Sequence, residues 1–363
     1  MNRNLLKAAA AVTVGAAVFM IILFAAVMIK MPKNEPVTAA ETECTAEPPA
    51  EQFATYEDME EYTAEQFAFD EKRHATYTYE DMESDLRLMS RNFADKARLT
   101  PLAQTADGRT VYDLEVGKQG SQNQYIVTGS IHAREYITSK LVMLLLNDYI
   151  SKYDGKDELI HFVPMVNPDG VSISQFGMDG IRTEAVRTNI NSIAVSDGKS
   201  TDDFNYLRQW KANANGVDLN RNFDAMWESY EGTPHPSSDR YKGSAVGCES
   251  ESAALIELTK NNPIKKTISY HTMGQVIYWY FAQEGGLLTQ TKAFADKISA
   301  ETGYMTDANY EALDPAGYKD WAVSKLSIPS VTIEVGTGEN PVDELQTDKI
   351  YEENKNVIGI MSE

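Results

Sequence analysis

Residues 124–150 read QYIVTGSIHAREYITSKLVMLLLNDYI, and this stretch decides the fold. Residues 124–131 form a short β-rich run typical of a buried strand, and residues 138–150 have the periodicity of a helix. His132 and Glu135 therefore lie on a turn between a strand and a helix. In open α/β sheets, ligands bind just beyond the carboxyl ends of strands, so this turn is the expected edge of a functional crevice.

Two more β-rich runs deliver polar side chains to the same edge. One directly precedes His271, and the other precedes Glu334. His132, Glu135 and His271 are two ligands close in sequence plus one distant ligand, which is a common arrangement around catalytic zinc. A His and a Glu three residues apart also occur by chance in solvated turns, but here independent strand ends converge on one crevice. One zinc ion per chain and a hydrolase are the hypotheses that follow.

The composition fits one sizeable globular domain with an appendage. The chain has 363 residues, of which 42% are hydrophobic. Its formal net charge of -21 argues against a broad basic surface for nucleic acid or for an anionic membrane, so we expect no nucleic-acid partner. Cys44 and Cys248 are the two cysteines, too few for a disulfide framework, and the expected zinc ligands are not thiolates.

The N-terminal region contains a candidate membrane anchor. Residues 8–29 form an apolar run of about 22 residues flanked by basic residues, which is long enough to cross a bilayer. We favour a transmembrane anchor within residues 1–33 over a cleaved signal sequence, whose apolar region is normally shorter. Either interpretation places the rest of the chain outside the cytoplasm, attached to the cell membrane by a single span or secreted after cleavage.

The remaining chain divides into a linker and a folded unit. Residues 34–72 are rich in Glu, Ala, Thr and Pro and are expected to be an acidic flexible linker, and residues 73–363 are the expected catalytic domain. An amphipathic helix is predicted over residues 79–93, followed by a hairpin that turns at Asp107-Gly108-Arg109. Strands and helices then alternate, which predicts an α/β architecture.

Several ordered motifs identify a family. They are Ile131-His132-Ala133-Arg134-Glu135-Tyr136-Ile137-Thr138, Asn167-Pro168-Asp169-Gly170, Gly216-Val217-Asp218-Leu219-Asn220-Arg221-Asn222-Phe223, Ser269-Tyr270-His271-Thr272, and Asp320-Trp321 followed by Glu334. Together they resemble the zinc carboxypeptidases of the carboxypeptidase A type, from residue 79 to the C-terminus. The resemblance implies a single α/β domain whose central mixed, twisted sheet of about eight strands is flanked by helices.

The resemblance also implies roles for the residues at the crevice. His132, Glu135 and His271 would bind zinc, and Glu334 would be the general base. Zinc lowers the pKa of its bound water and polarises the scissile carbonyl, so a nearby carboxylate can take the water proton and pass it to the departing amine. An unpaired carboxylate inside the apolar run around Glu334 would be costly without such a task.

Further residues match the family's substrate-binding positions. Asp218 looks like the carboxylate that accepts the second ring N–H of a ligand histidine, although an ordinary turn aspartate is the alternative. Asn220 and Arg221 match the clamp for the terminal carboxylate of the substrate, a task that suits a planar guanidinium. Tyr310 resembles the tyrosine that caps the bound terminus, provided that two residues are inserted after it.

Two positions depart from the digestive members of the family. Lys211 stands where those enzymes have an arginine that stabilises the oxyanion; it could supply the charge, or it could be a surface lysine. Arg134, which resembles a subsite arginine, could share that work. Lys319 stands at the floor of the pocket for the terminal side chain, where a positive charge favours a carboxylate.

Two substrate classes and one other class of protein stay open. The segments around Lys211 and Lys319 also resemble bacterial members that cut peptidoglycan stem peptides between γ-D-glutamate and meso-diaminopimelate, so ordinary peptides and stem peptides are both candidate substrates. A catalytically inactive member that only binds peptide termini would lack a ligand or the base, and this chain has them all. A monomer is expected. We interpret His74, His161 and His235 as structural or surface residues.

Overall fold

The computed structural model describes residues 66–308, 310 and 312–363. The predicted anchor and most of the predicted linker lie outside this part of the chain. Within it, no helix combines the length and the apolar character that crossing a bilayer requires.

Eight strands form one sheet. In chain order they are β1 (Ala97–Gln104), β2 (Thr110–Gly117), β3 (Gln124–Thr128), β4 (Leu159–Val163), β5 (Ile264–Thr272), β6 (Val276–Tyr278), β7 (Met305–Asp307) and β8 (Ser330–Val335). The spatial order is β1-β2-β4-β3-β5-β8-β6-β7. The four central strands β4, β3, β5 and β8 run parallel, and β2 and β6 flank them in antiparallel pairing. The expected mixed sheet of eight strands is confirmed.

Helices cover the sheet and fill the connections. They are α1 (Ala68–Glu71), α2 (Tyr79–Asn92), α3 (Ile137–Lys152), α4 (Pro168–Phe176), α5 (Glu184–Ser196), α6 (Phe204–Arg208), α7 (Ser250–Asn261), α8 (Gly285–Thr302), α9 (Tyr318–Leu326), α10 (Thr347–Asn354) and α11 (Val357–Ile360). Short 3-10 turns occur at Ala133–Glu135, Gly177–Gly180, Leu219–Arg221, Trp227–Ser229 and Glu344–Gln346.

The two faces of the sheet have different chemistry. On one face, alternate apolar residues of the strands pack against α2, α3 and α8 in the largest core cluster. The other face packs in part against α7 and α9, but it also carries polar side chains near the carboxyl ends of the parallel strands. Because side chains alternate along a strand, this face brings His271 and Glu334 to one edge of the sheet. At the opposite edge, residues 118–123 connect β2 to β3 beside the first residue of β4.

The local predictions around β3 are confirmed, and one boundary is corrected. A 3-10 turn and α3 follow β3 as the sequence indicates, and the predicted hairpin is formed by β1 and β2. The folded unit, however, begins before residue 73. Phe69 is fully buried, and the backbone N–H groups of Ala68 and Phe69 donate to the Asp85 carboxylate at 2.8 and 3.0 Å. The end of the predicted linker is therefore packed against α2, because a buried aromatic stabilises it there.

Candidate metal and peptide-binding site

Three buried side chains converge at the carboxyl edge of the central strands. His132 Nδ1 lies 2.8 Å from Glu135 Oε1, and His271 Nδ1 lies 2.9 Å from Glu135 Oε2. The two Nδ1 atoms are 3.1 Å apart. Each nitrogen thus faces two other groups that can bind a metal, so no single pairing explains the arrangement. The structure brings together the three residues that the sequence predicts as ligands.

The donor set fits zinc. Zinc binds imidazole nitrogen at about 2.0–2.1 Å, so two such nitrogens in a tetrahedral site lie roughly 3.3 Å apart, close to the distance between the two histidines. Burial opposes ionisation of Glu135, but the imidazoles of His132 and His271 outweigh it and hold the pKa of Glu135 well below its usual range. The carboxylate is therefore available in the anionic form that a metal requires.

The turn that carries the first two ligands has little freedom. A Cβ atom on Gly129 would lie 2.8 Å from the carbonyl oxygen of Pro164 and 2.9 Å from that of Thr138, so a larger residue would push the backbone apart. The Ser130 N–H donates to Thr138 Oγ1 at 2.8 Å, and that hydroxyl donates to the Glu135 carbonyl at 2.7 Å. Close packing and these hydrogen bonds fix the direction in which Glu135 projects.

Asn167 fastens this turn to a neighbouring loop. This buried asparagine begins the Asn-Pro-Asp-Gly motif, and its Nδ2 donates to the carbonyl oxygens of Ile131 at 3.2 Å and Ala212 at 3.0 Å. The Ala133 N–H donates to the Lys211 carbonyl at 3.1 Å. The motif therefore acts on the site through the backbone, because it locks the Lys211 loop to the ligand turn.

A charged chain of side chains lies behind His132. Asp218 Oδ1 is 3.2 Å from His132 Nε2, and Asp218 Oδ2 is 3.1 Å from Lys211 Nζ. Lys211 Nζ also lies 3.5 Å from Asp239 Oδ1. Burial opposes ionisation of Asp218, but Lys211 and His132 keep its pKa well below its usual range. Asp218 is placed to orient the ring of His132, and the charge of Lys211 faces two carboxylates.

Glu334 lies beside the ligands with one free oxygen. Its Oε2 is buried and has no hydrogen-bond partner. Burial raises the pKa of Glu334 to about 7, the Glu135 carboxylate adds to the rise, and His271 and Lys211 oppose it. A carboxylate with a pKa near neutrality suits a group that must both take and give a proton. A buried oxygen without a hydrogen-bond partner is uncommon in a folded protein, and it indicates a functional role for Glu334.

A cleft of about 430 Å³ lies over the metal ligands. It is lined by the three ligands and Glu334, and also by Asn220 and Arg221. The 3-10 turn Leu219–Arg221 carries both clamp residues. Asn220 Oδ1 accepts the Tyr318 N–H at 3.0 Å, so its amide N–H groups are directed elsewhere. Arg221 Nη2 donates to Asp314 Oδ2 at 2.7 Å. The two residues that the sequence predicts as a clamp therefore line the cleft, and a carboxylate of the chain itself already contacts Arg221.

Lys319 also lines the cleft, but its charge has a partner. Lys319 Nζ forms an ion pair with Asp320 and donates to the Tyr280 carbonyl at 3.0 Å. Both charged side chains are about one-tenth exposed. The residue predicted at the pocket floor is therefore half of an ion pair, and the cleft carries a negative as well as a positive charge there.

Two predicted residues lie at the margin of the cleft. Arg134 lines it, is partly exposed, and donates through Nη1 to the Gln209 carbonyl at 3.3 Å. Tyr310 is 62% exposed, and its ring centroid lies 4.5 Å from that of Tyr280 and 6.2 Å from that of Trp279. Tyr310 thus packs on an aromatic residue of the cleft wall and is not among the residues that line the cleft.

A second buried group, Asp113, Glu115 and His161, also places ligand-type atoms within 4.8 Å of one another. His161 Nδ1 lies 2.6 Å from Asp113 Oδ2, its Nε2 lies 3.0 Å from Gln124 Oε1, and Arg98 contacts both oxygens of Glu115. Two acceptors around one ring indicate a protonated imidazole, which has no lone pair for a metal. We therefore interpret this group as structural.

The sequence gives no indication that three acids near the site pair with predicted functional residues. Asp239 faces Lys211, Asp314 contacts Arg221, and Asp320 pairs with Lys319. Asp320 belongs to a recognised motif, and the Asp-Pro that begins at Asp314 marks a turn. No spacing rule links a loop residue to an arginine 93 positions away. Only the tertiary structure could show that pairing.

Comparisons with known proteins agree with this geometry. The profile of a family described as zinc carboxypeptidase matches residues 82–357. The chain is 29% identical over 297 residues to the gamma-D-glutamyl-L-diamino acid endopeptidase 1 of Lysinibacillus sphaericus, a match that covers 76% of this chain and 70% of that protein. It is 26% identical over 217 residues to the metallocarboxypeptidase A of Trichophyton rubrum, covering 55% of this chain and 46% of the relative.

Solved structures share the fold. The carboxypeptidase A of Helicoverpa armigera superposes with a TM-score of 0.64 at 16% identity, covering 80% of this chain and 73% of that one. At this level of identity the likeness speaks for the architecture of the sheet and its helices alone.

Proposed function

Since the chain belongs to the zinc carboxypeptidase family, we propose that it hydrolyses the C-terminal peptide bond of peptides outside the cytoplasm. One observation carries the proposal. The three metal ligands and Glu334 line the same cleft as Asn220 and Arg221, so a group that holds a terminal carboxylate lies within reach of the groups that cut the preceding bond. The proximity of binding and reacting groups is what an exopeptidase requires.

Glu334 would act as the general base. His132, Glu135 and His271 would hold the zinc, which when bound would supply Lewis-acid activation of a water and of the scissile carbonyl. The unpartnered Oε2 of Glu334 takes a proton from the attacking water and later gives it to the departing amine. Asp218 holds the ring of His132 in place from behind, which keeps the ligand geometry constant during the reaction.

Positive charge for the oxyanion would come from Lys211 or Arg134. Both line the cleft. Asp218 and Asp239 share the charge of Lys211, whereas the Nε of Arg134 is buried without a partner. We therefore propose that Arg134 supplies an oxyanion donor and that Lys211 contributes chiefly through its field.

The terminal side chain would enter the pocket that ends at Lys319 and Asp320. A second substrate is favoured by this ion pair and by the relative named gamma-D-glutamyl-L-diamino acid endopeptidase. The side chain of meso-diaminopimelate ends in both an amino group and a carboxylate. Lys319 could bind the carboxylate while Asp320 binds the amino group, so the pocket offers a partner for each. We propose peptidoglycan stem peptides as the second candidate substrate.

A digestion with two substrate classes tests the function. The purified, zinc-loaded protein is incubated with ordinary peptides and with a stem tripeptide that ends in γ-D-glutamyl-meso-diaminopimelate, and the products are followed by mass spectrometry. Release of single C-terminal residues that stops on chelation supports the carboxypeptidase. Release of diaminopimelate selects the stem peptide. If neither class is cut by the zinc-loaded protein, the proposed function is wrong and the alternative of an inactive peptide-binding protein replaces it.

We also propose that residues 1–33 anchor the protein in the cell membrane with residues 73–363 outside the cytoplasm. The support is the apolar run of residues 8–29. In cells expressing the full chain, the protein should sediment with membranes and be digested by a protease added from outside. Recovery of the protein from the medium with a new N-terminus would show that the segment is cleaved instead.

A further inference from the structure

The guanidinium of Arg221 is already engaged by an acid of the same chain. Arg221 Nη2 donates to Asp314 Oδ2 at 2.7 Å, and Nη1 donates to the carbonyl oxygens of Pro315 at 3.3 Å and Asn220 at 3.2 Å. The residue lines the cleft that holds the metal ligands. The arginine of the predicted clamp is therefore already paired with a carboxylate of the same chain, in place of the terminal carboxylate of a substrate.

The two partners differ in their surroundings. The Arg221 side chain is 12% exposed, while that of Asp314 is 64% exposed. The arginine is held in place, because its Nη1 donates to two backbone carbonyls and its guanidinium lies 5.0 Å from the centroid of the Tyr230 ring. The aspartate lies on an exposed loop and could leave the arginine without opening the core. Water screens the mostly exposed Asp314 carboxylate, so the pair contributes little to stability and is better suited to competition than to holding the fold.

A terminal carboxylate that approaches Arg221 meets the negative charge of Asp314. Two carboxylates at one guanidinium repel each other, so the substrate must displace Asp314 or bind less tightly. A substrate whose terminal group is neutral, such as a C-terminal amide, has no such conflict and can leave Asp314 in place. The internal acid thus lowers the advantage that a free carboxylate would otherwise have.

We propose that Asp314 is a specificity-determining residue that competes with the substrate's terminal carboxylate for Arg221. The inference rests on the proposed function, which assigns Arg221 to the clamp. It adds that the enzyme's preference for a free terminal carboxylate over a neutral group is set by this competition and is weaker than the clamp alone would give.

Binding measurements on a protein that does not turn over test the competition. The full chain with zinc and the substitution Glu334→Gln is titrated by calorimetry with one peptide acid and with its C-terminal amide. Adding Asp314→Asn should tighten binding of the acid by about three- to tenfold and leave binding of the amide unchanged, because the neutral side chain no longer competes. Asp224→Asn is the matched control, since Asp224 is similarly exposed and pairs with Lys325, and neither residue lines the cleft.

The outcomes separate this inference from the proposed function. Three results for Asp314→Asn would overturn the proposed competition: weaker binding of the peptide acid, an equal change in the affinity for acid and amide, or no change in either affinity. Each of them would assign Asp314 to holding its loop. In the active protein, Asp314→Asn should raise the ratio of kcat/KM for acid over amide by the same factor through KM. Absence of hydrolysis of either peptide by the unmodified protein counts against the proposed function alone, because the binding titration needs no turnover.

Discussion

Glu334 is the direct cross-strand neighbour of His271 in the parallel pairing of β5 with β8. Neighbouring strands lie about 4.8 Å apart, so the register itself sets the separation between a metal ligand and the proposed base. A shift of one residue in either strand would turn one of these side chains to the opposite face of the sheet. The chemistry of the site is therefore built into the hydrogen-bond register of the two central strands.

Substitution of Glu334 by Gln should abolish catalysis and spare the metal. Gln keeps the shape of the side chain but cannot accept a proton from water, so kcat should fall by about 10²- to 10⁴-fold while zinc content stays unchanged. Steady-state kinetics and metal analysis of the same preparation check both parts. Glu339→Gln, at an exposed glutamate just beyond β8, is the control. Substantial activity left in Glu334→Gln would remove this residue from the mechanism.

Loss of one ligand should lower zinc content. We expect His271→Ala to retain well under half of the zinc of the unmodified protein after dialysis, because a catalytic site keeps only three protein ligands. Atomic absorption on dialysed protein measures this. His74→Ala is the matched control, since His74 is an exposed histidine that contacts Asp348. Equal zinc in the His271→Ala and His74→Ala proteins would contradict the assignment of the site.

Lys319 and Asp320 should control the side chain that is released, in opposite directions. Lys319→Met leaves the Asp320 carboxylate alone in the pocket, so the preference should move from acid-bearing toward basic side chains by about tenfold or more in kcat/KM. Asp320→Asn should sharpen the preference for acids. A panel of peptides that differ only in the last residue gives both ratios. Lys292→Met, at a surface ion pair on α8, is the control and should leave both ratios unchanged. If Lys319→Met also leaves the substrate profile unchanged, this pocket does not select the terminal residue.

Glu251 on α7 should make the fold less stable as the pH rises. Burial raises the pKa of Glu251 from 4.5 to about 8, with the Glu249 carboxylate adding to the rise. Between those values the folded state keeps a proton that the unfolded state has released, so the free energy of unfolding falls as pH increases. Glu251→Gln removes this titration, and its stability advantage should grow by up to about 5 kcal/mol between pH 5 and 9.

Urea denaturation at a series of pH values measures that difference. Glu257→Gln is the control, because Glu257 lies on the same helix and is exposed. Asn213 Nδ2 donates to Glu249 at 2.7 Å and to Glu251 at 3.3 Å, so the two acids share one amide group. Parallel pH profiles for Glu251→Gln and the unmodified protein would show that Glu251 is ionised in the folded state.

The sequence predicted the parts of the site that depend on local pattern. β-Rich runs followed by His or Glu indicate β3, β5 and β8. Because binding sites in α/β sheets lie beyond the carboxyl ends of the strands, the sequence also indicates that these side chains share one site. The same local patterns do not indicate that Lys319 is paired with a carboxylate. Lys319 and Asp320 are adjacent in sequence, and adjacent side chains on a helix normally point apart, so their adjacency alone does not indicate an ion pair. In the structure the two side chains nevertheless form an ion pair in the first turn of α9.

The N-terminal boundary was wrong for a related reason. Residues 68–71 have the composition of the preceding acidic linker, and one aromatic residue is a weak signal in such a stretch. Phe69 is buried, however, and Asp85 accepts two backbone N–H groups from this segment. A buried carboxylate that caps a distant turn leaves no trace in periodicity or composition.

The connection of residues 118–123 lies at the amino ends of the parallel strands, away from the edge where the cleft opens. Lys118 in it carries an amine on a side chain that is 61% exposed. Attachment of the protein to a bead or a probe at this position should leave the mouth of the cleft facing outward. Such an oriented surface could process insoluble polymers that a randomly coupled enzyme would fail to reach.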